Sequence, residues 1–252
     1  MPEGKSQNNL PFADGERLSY RVSYNWEFLW VDAGKVEFNA ATQWKDDQHL
    51  WHFQSSGQSL KAYDIFYKVR DSFESMADFR TFDPSWYHRK TLEGSYSADN
   101  QLCFHSNEGV IISKTQNSRQ GKSVDTLVFS EGIFDLQTAV YYARTFNFDG
   151  MQIEDEIPLQ VIVDGAVYDL SGKYQGKEIV ELHDGRIFKC HHFTVELVAG
   201  TIFKVGERAS IWVSADKNRV PVLVEAQILV GSVKAWLSNA EKLKYPQTAL
   251  IN

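Results

Sequence analysis

The chain has 252 residues, 43% apolar and 23% charged, with a formal net charge of −7. That much apolar side chain supports a sizeable core and excludes wholesale disorder. An acidic chain with no basic block repels phosphate backbones rather than steering them, so nucleic acid is not expected as a partner.

Residues 1–12 are mostly polar and read as a tail without the apolar stretch of an export signal. From there the period is two. In "LSYRVSYNWEF", Leu18, Tyr20, Val22, Tyr24, Trp26 and Phe28 share one face, which is the pattern of a half-buried strand. A turn at Asp32-Ala33-Gly34 leads to "KVEFNAATQW", where Val36, Phe38 and Ala40 continue the alternation, and "HLWHFQSSG" reads as a third strand. The stretch "LKAYDIFYKVRDSFESMADF" combines a helical turn up to about Tyr67 with a strand from Val69. Further strands are predicted at 86–92, 101–105, 110–116 and 124–129.

One helix is predicted, at about 135–146. Asp135 can accept the amide hydrogens that a first helical turn leaves unpaired. Leu136, Ala139, Val140 and Ala143 form an apolar stripe at helical spacing, expected to lie on a sheet. Beyond it, Asp164-Gly165 and Asp184-Gly185 signal tight hairpins, because Asp and Gly tolerate positive φ. "RASIWVSADKNRVPVLVEAQI" reads strand, turn, strand, with Pro221 marking an edge or a bulge since it has no N–H to give a ladder. "GSVKAWLS" closes the sheet, and 243–252 reads as a second tail. The class is mainly β: a large curved antiparallel sheet or a two-sheet half-open barrel with one packed helix. A single domain over 13–242 is expected, with two β halves (about 13–130 and 150–242) joined by the helix as the alternative.

No residue set names a chemistry. "FKCHHFTVE" tempts a metal reading, but on a strand Cys190 and His192 point to one side and His191 to the other, so three ligands do not converge. Zincin, nucleophile-elbow, phosphate-loop and C-x-x-C motifs are absent from the sequence. Asp71 falls on an apolar strand face, where a charge needs a donor or a partner. It is read as a structural anchor or a cleft residue, and a hydrolase using Asp71 with a distant acid or histidine is the weaker enzymatic alternative. Trp26, Trp30, Trp212 and Trp236 are candidates to line an apolar groove or to fill the sheet interior, and Tyr142 and Arg144 on the helix are candidates for the same cleft or its support. No catalytic, cofactor or metal residue is assigned. Cys103 and Cys190 are expected to be reduced, since strand packing gives no reason to join them.

The order and spacing of "GERLSYRVSYNWEFLWVDAGKVEF", "YDIFYKVRDSFES", "FDLQTAVYYARTF" and "IWVSADKNRVPVLVEAQILVGSVKAWL" resemble the bacterial family known as domain of unknown function 3108. The resemblance implies an exported protein of a Gram-negative envelope, in the periplasm or at the outer membrane. It carries no activity, and the matching positions Asp71, Arg144, Trp212, Asp216, Pro221, Gly231 and Lys234 are read as architectural. More distantly, the closing strands resemble those of periplasmic lipoprotein carriers, which curve a sheet around an apolar cavity. With 13% aromatic residues in an acidic chain that shows no transmembrane run, the expectation is a noncatalytic envelope protein. Its expected partner is an apolar small molecule, lipid or peptide, or another envelope protein. A purely structural or interaction role is the alternative.

Overall fold

The computed structural model describes residues 10–26, 29–197, 207–228 and 231–251, with the side chains of Trp26 and Leu29 outside that description. A meander of eight strands comes first: β1 (Glu16–Trp26), β2 (Leu29–Lys45), β3 (Gln48–Ser59), β4 (Val69–Asp78), β5 (Pro84–Glu93), β6 (Tyr96–His105), β7 (Val110–Asn117) and β8 (Gly121–Val128). A short β9 (Ile133–Asp135) runs straight into the helix α1 (Leu136–Ala143). The chain then returns through β10 (Glu156–Val163), β11 (Ala166–Glu181), β12 (Ile187–Glu196), β13 (Arg208–Ser214), β14 (Pro221–Gln227) and β15 (Ser232–Glu241).

All fifteen strands form one sheet, in the order β8 to β1, then β15 down to β9. The first and last strands therefore pair at its middle, Tyr20 opposite Leu237 and Val22 opposite Ala235. The region around 130–150 is not a break between two sheets, because both wings hydrogen-bond through this central pair. The sheet is antiparallel as expected in every pair but one, and that single parallel pair makes it mixed. β9 and β10 are joined through α1, and such a crossover leaves both strands running the same way.

The wings curl toward each other. Tyr87, Leu102, Phe104 and Ile111 of the first wing pack on Ile133 and Ile162 of the second. At the same seam Arg89 Nη2 and Asn100 Nδ2 donate to Asp164 Oδ1 at 2.5 and 2.7 Å. Side chains close this seam, and no backbone ladder joins β8 to β9.

Several local expectations need correction. Asp32-Ala33-Gly34 lies inside β2, where Val22 pairs with Gly34 and Ser23 with Asp32, so Ala33 is the extra residue of a bulge rather than part of a turn. Asp164-Gly165 is a two-residue hairpin with both φ values positive, but Asp184-Gly185 sits in a longer loop closed by Leu182 N donating to Arg186 O. Pro221 does stand at a bulge, between the pairs of Trp212 and Val213. Gly231 has φ +79, and a Cβ there would meet Asn25 O at 2.8 Å, so the position requires glycine.

The described parts of both predicted tails, 10–12 and 243–251, are packed against the sheet, and residues 1–9 lie outside the described residues. Leu10 and Phe12 are buried in the main core beside Trp51, Phe53, Phe82 and Tyr141. Phe12 meets the Trp51 and Tyr141 rings edge-on at 5.1 and 5.2 Å. At the other end Leu250 bridges to Phe188 and Ala249 is buried with Phe188 and Cys190. Isolated apolar residues in polar surroundings carry no periodicity, so the pattern that finds strands overlooks them.

Candidate functional site

The site is built around α1. Asp135, with no exposed surface, caps the helix: its Oδ1 accepts the amides of Gln137 and Thr138, each at 2.9 Å. Its Oδ2 accepts the hydroxyls of Ser75 and Thr138, each at 2.7 Å. Burial is the main influence on this carboxyl and pushes its pKa up, against the pull of these donors. Ser55 Oγ donates to Gln137 Oε1 at 2.8 Å, and the Tyr141 ring stacks on Phe53 at 4.1 Å.

These contacts orient the helix against expectation. Its sheet-facing side is Gln137, Thr138 and Tyr141, because β3 and β4 offer the buried hydroxyls of Ser55 and Ser75 as partners. Of the apolar stripe, Ala139 is buried in the main core beside Phe134 and Val161, while Leu136, Val140 and Ala143 turn toward a cleft of about 490 Å³. Val140 is 41% exposed there. The facing walls are aliphatic: Ile157, Leu159, Val161 and Val163 from β10, then Val195, Ile211 and Val213 from β12 and β13, with Phe73 and Phe193.

Arg144 closes the cleft at the helix C-terminus. Its Nη1 and Nη2 donate to Glu16 Oε1 and Oε2 at 2.6 and 3.0 Å, a bidentate pair at 3% and 0% side-chain exposure. The same guanidinium donates to the carbonyls of Asn218 at 2.9 Å and Arg219 at 3.1 Å. The polar lining elsewhere comes from Arg89, Thr91, Glu93, Tyr96, Asp164 and Glu196. Both cleft-lining arginines are thus already bound to carboxylates, Arg89 to Asp164 and Arg144 to Glu16.

Asp71 lies across from Thr91, next to this rim. It accepts the Leu92 amide at 3.2 Å and the Thr91 hydroxyl, tying β4 to β5. Burial first, and the Glu93 charge second, raise its pKa to about 6. Tyr142 stacks on Phe134 at 4.4 Å beside Phe82 and Phe146, outside the cleft.

Among the described residues, no tryptophan lines the cleft. Trp30 and Trp236 flank the Lys234 ammonium at 4.6 and 5.4 Å, and Lys234 pairs with Glu225. Trp212 stacks on His192 at 4.4 Å and donates to Glu178, which also bonds His192. Trp26 falls, by its side chain, outside the described residues. His191 turns the other way, to the Tyr174 hydroxyl at 3.1 Å, while Cys190 is buried with Phe188. Cys103 and Cys190 are both free thiols. Among the described residues no three His, Cys, Asp or Glu side chains group as metal ligands, and no helix is long and apolar enough to cross a membrane.

The cleft walls from β10, β12 and β13 were missed by sequence reasoning. A signal was present in "EIPLQVIV", whose alternate residues Ile157, Leu159, Val161 and Val163 all face the cleft.

The family description "Protein of unknown function (DUF3108)" matches residues 19–238. The chain belongs to this family. Its fold is similar to the crystal structure of a β-barrel-like protein of the domain of unknown function DUF1849 from Brucella abortus. The TM-score is 0.55 and the identity 8%, over 93% of this chain and 99% of that one. At that identity the likeness speaks to fold alone, and it fits a DUF3108 sheet that curls without closing. No curated protein matches the sequence significantly.

Proposed function

We propose that this DUF3108 protein is a noncatalytic binding protein that holds an uncharged aliphatic molecule, of acyl-chain character, in the cleft beside α1. One observation carries the reading: Leu136, Val140 and Ala143 of α1, with the aliphatic wall of β10, border about 490 Å³ of open space. Apolar surface left uncovered costs roughly 25 cal/mol per Å², and a ligand recovers it. The volume falls within the roughly 300–1,000 Å³ of small-molecule sites. With Arg89 and Arg144 both committed to carboxylates, an anionic head group would have to displace one of them, which favours a neutral ligand over a fatty-acid anion. The location that goes with this reading is the periplasm or the outer membrane, supported by the family resemblance and tested by cell fractionation.

Titration with a neutral fluorescent acyl ester tests the binding. Val140→Trp fills the cleft from a position 41% exposed and should leave the fold intact while weakening the probe about tenfold or more. Absence of saturable binding, or equal binding by Val140→Trp, would overturn the proposal.

A further inference from the structure

We propose that the loop between β3 and β4 is a membrane-contact point, its Ile65 and Phe66 side chains entering the head-group region of an anionic lipid bilayer. This goes beyond the ligand reading and does not depend on it. Ile65 is 86% exposed and Phe66 81%, the highest values among the large apolar side chains of the described residues. Neighbouring Leu60 and Tyr67 add 39% and 44%.

A built turn displays these residues. Tyr63 N donates to Leu60 O at 2.8 Å, Phe66 N to Tyr63 O at 2.9 Å and Tyr67 N to Tyr63 O at 3.0 Å. Arg70 grips Asp64 with two bonds, at 3.0 and 2.6 Å, and Ser59 Oγ donates to the same carboxylate at 2.5 Å. The only acid of the loop is thereby neutralised, and Lys61 and Lys68 set its net charge.

Two adjacent side chains make too small a patch for the core of a stable protein interface, which takes about 800 Å² from each partner. A bulky apolar tip flanked by lysines suits shallow insertion among acidic head groups. The loop also adjoins the cleft. Gly94 N donates to Lys68 O at 2.8 Å and the Tyr67 ring lies against Gly94, whose neighbours Glu93 and Tyr96 line the cleft. Docking by this loop brings that rim to the bilayer surface, the source and sink of acyl molecules.

Flotation of the full chain with vesicles of phosphatidylcholine containing a quarter phosphatidylglycerol tests the proposal. The wild type should float at low salt and less at high salt, the overall charge of −7 keeping the interaction weak. Ile65→Ser with Phe66→Ser should cut the bound fraction about tenfold or more, and Lys61→Gln with Lys68→Gln should remove the salt dependence. The proposal is overturned if the wild type stays with the soluble fraction, or if the serine variant floats equally well. The two readings separate cleanly: the serine variant should still bind soluble acyl ester, and Val140→Trp should still float.

Discussion

Replacing Arg144 by leucine should be among the most damaging single changes in this molecule, and the structure supports a magnitude. The substitution removes both bonds to Glu16, at 2.6 and 3.0 Å, and frees the carbonyls of Asn218 and Arg219. Glu16 would be left without its partner, with 0% of its side chain exposed. Stranding one partner of a buried pair costs about 3–5 kcal/mol, and unpaired buried carbonyls add to that. We expect Arg144→Leu to lose about 4 kcal/mol or more in urea unfolding followed by tryptophan fluorescence, compared at a common m-value. The double variant Glu16→Gln/Arg144→Leu no longer carries the stranded charge and should recover about half of the loss. A single-variant loss below about 1 kcal/mol, the value of an exposed pair, would refute the account of Arg144 as the buried tie between α1, β1 and the β13–β14 turn.

Other outcomes follow from the same contacts. Asp71 has its pKa raised to about 6 by burial and then by Glu93, so the folded state holds that proton more tightly than the unfolded chain does. Stability should therefore fall as pH rises from about 4 to about 6. Asp71→Asn should flatten that window and gain about 1 kcal/mol at pH 7 after solvent screening; equal pH profiles for the two proteins would contradict this. Asp135→Ala removes the cap, leaving the Gln137 and Thr138 amides without their acceptor and the Ser75 and Thr138 hydroxyls with only each other, with an expected loss of about 2–3 kcal/mol in the same unfolding assay. Phe12→Ala, at a position expected to be a tail, should cost about 3–5 kcal/mol, whereas a true tail residue would cost nothing. Cys190, whose thiol burial pushes up to about 12, should resist iodoacetamide in the native protein and react once urea unfolds it, as read by intact mass.

The strands were legible because one face of each is buried, and alternation in Leu18–Tyr20–Val22 or Val36–Phe38–Ala40 records that directly. The helix cap was legible too, since Asp135 precedes a clear helical spacing and bonds the amides it should. Which way α1 faces was not. Its burial is decided by Ser55 and Ser75, more than sixty positions away for Gln137 and Thr138, and local periodicity assigns apolar residues to the core by default. The tryptophans misled for a related reason: ring size marks surface to be covered without saying by what. In Trp212 and Trp236 the cover is His192 and Lys234 rather than a ligand. The partners of Asp71 were hidden because Leu92 and Glu93 reach it only through strand register.

Whether the cleft beside α1 holds an aliphatic molecule can be read by native mass spectrometry of protein purified without detergent from the cells that make it. A loaded cleft should show as an added mass that organic extraction removes, that a neutral acyl ester restores, and that Val140→Trp does not carry. A wild-type protein found at its bare mass, and unchanged after incubation with the ester, would contradict the proposed function.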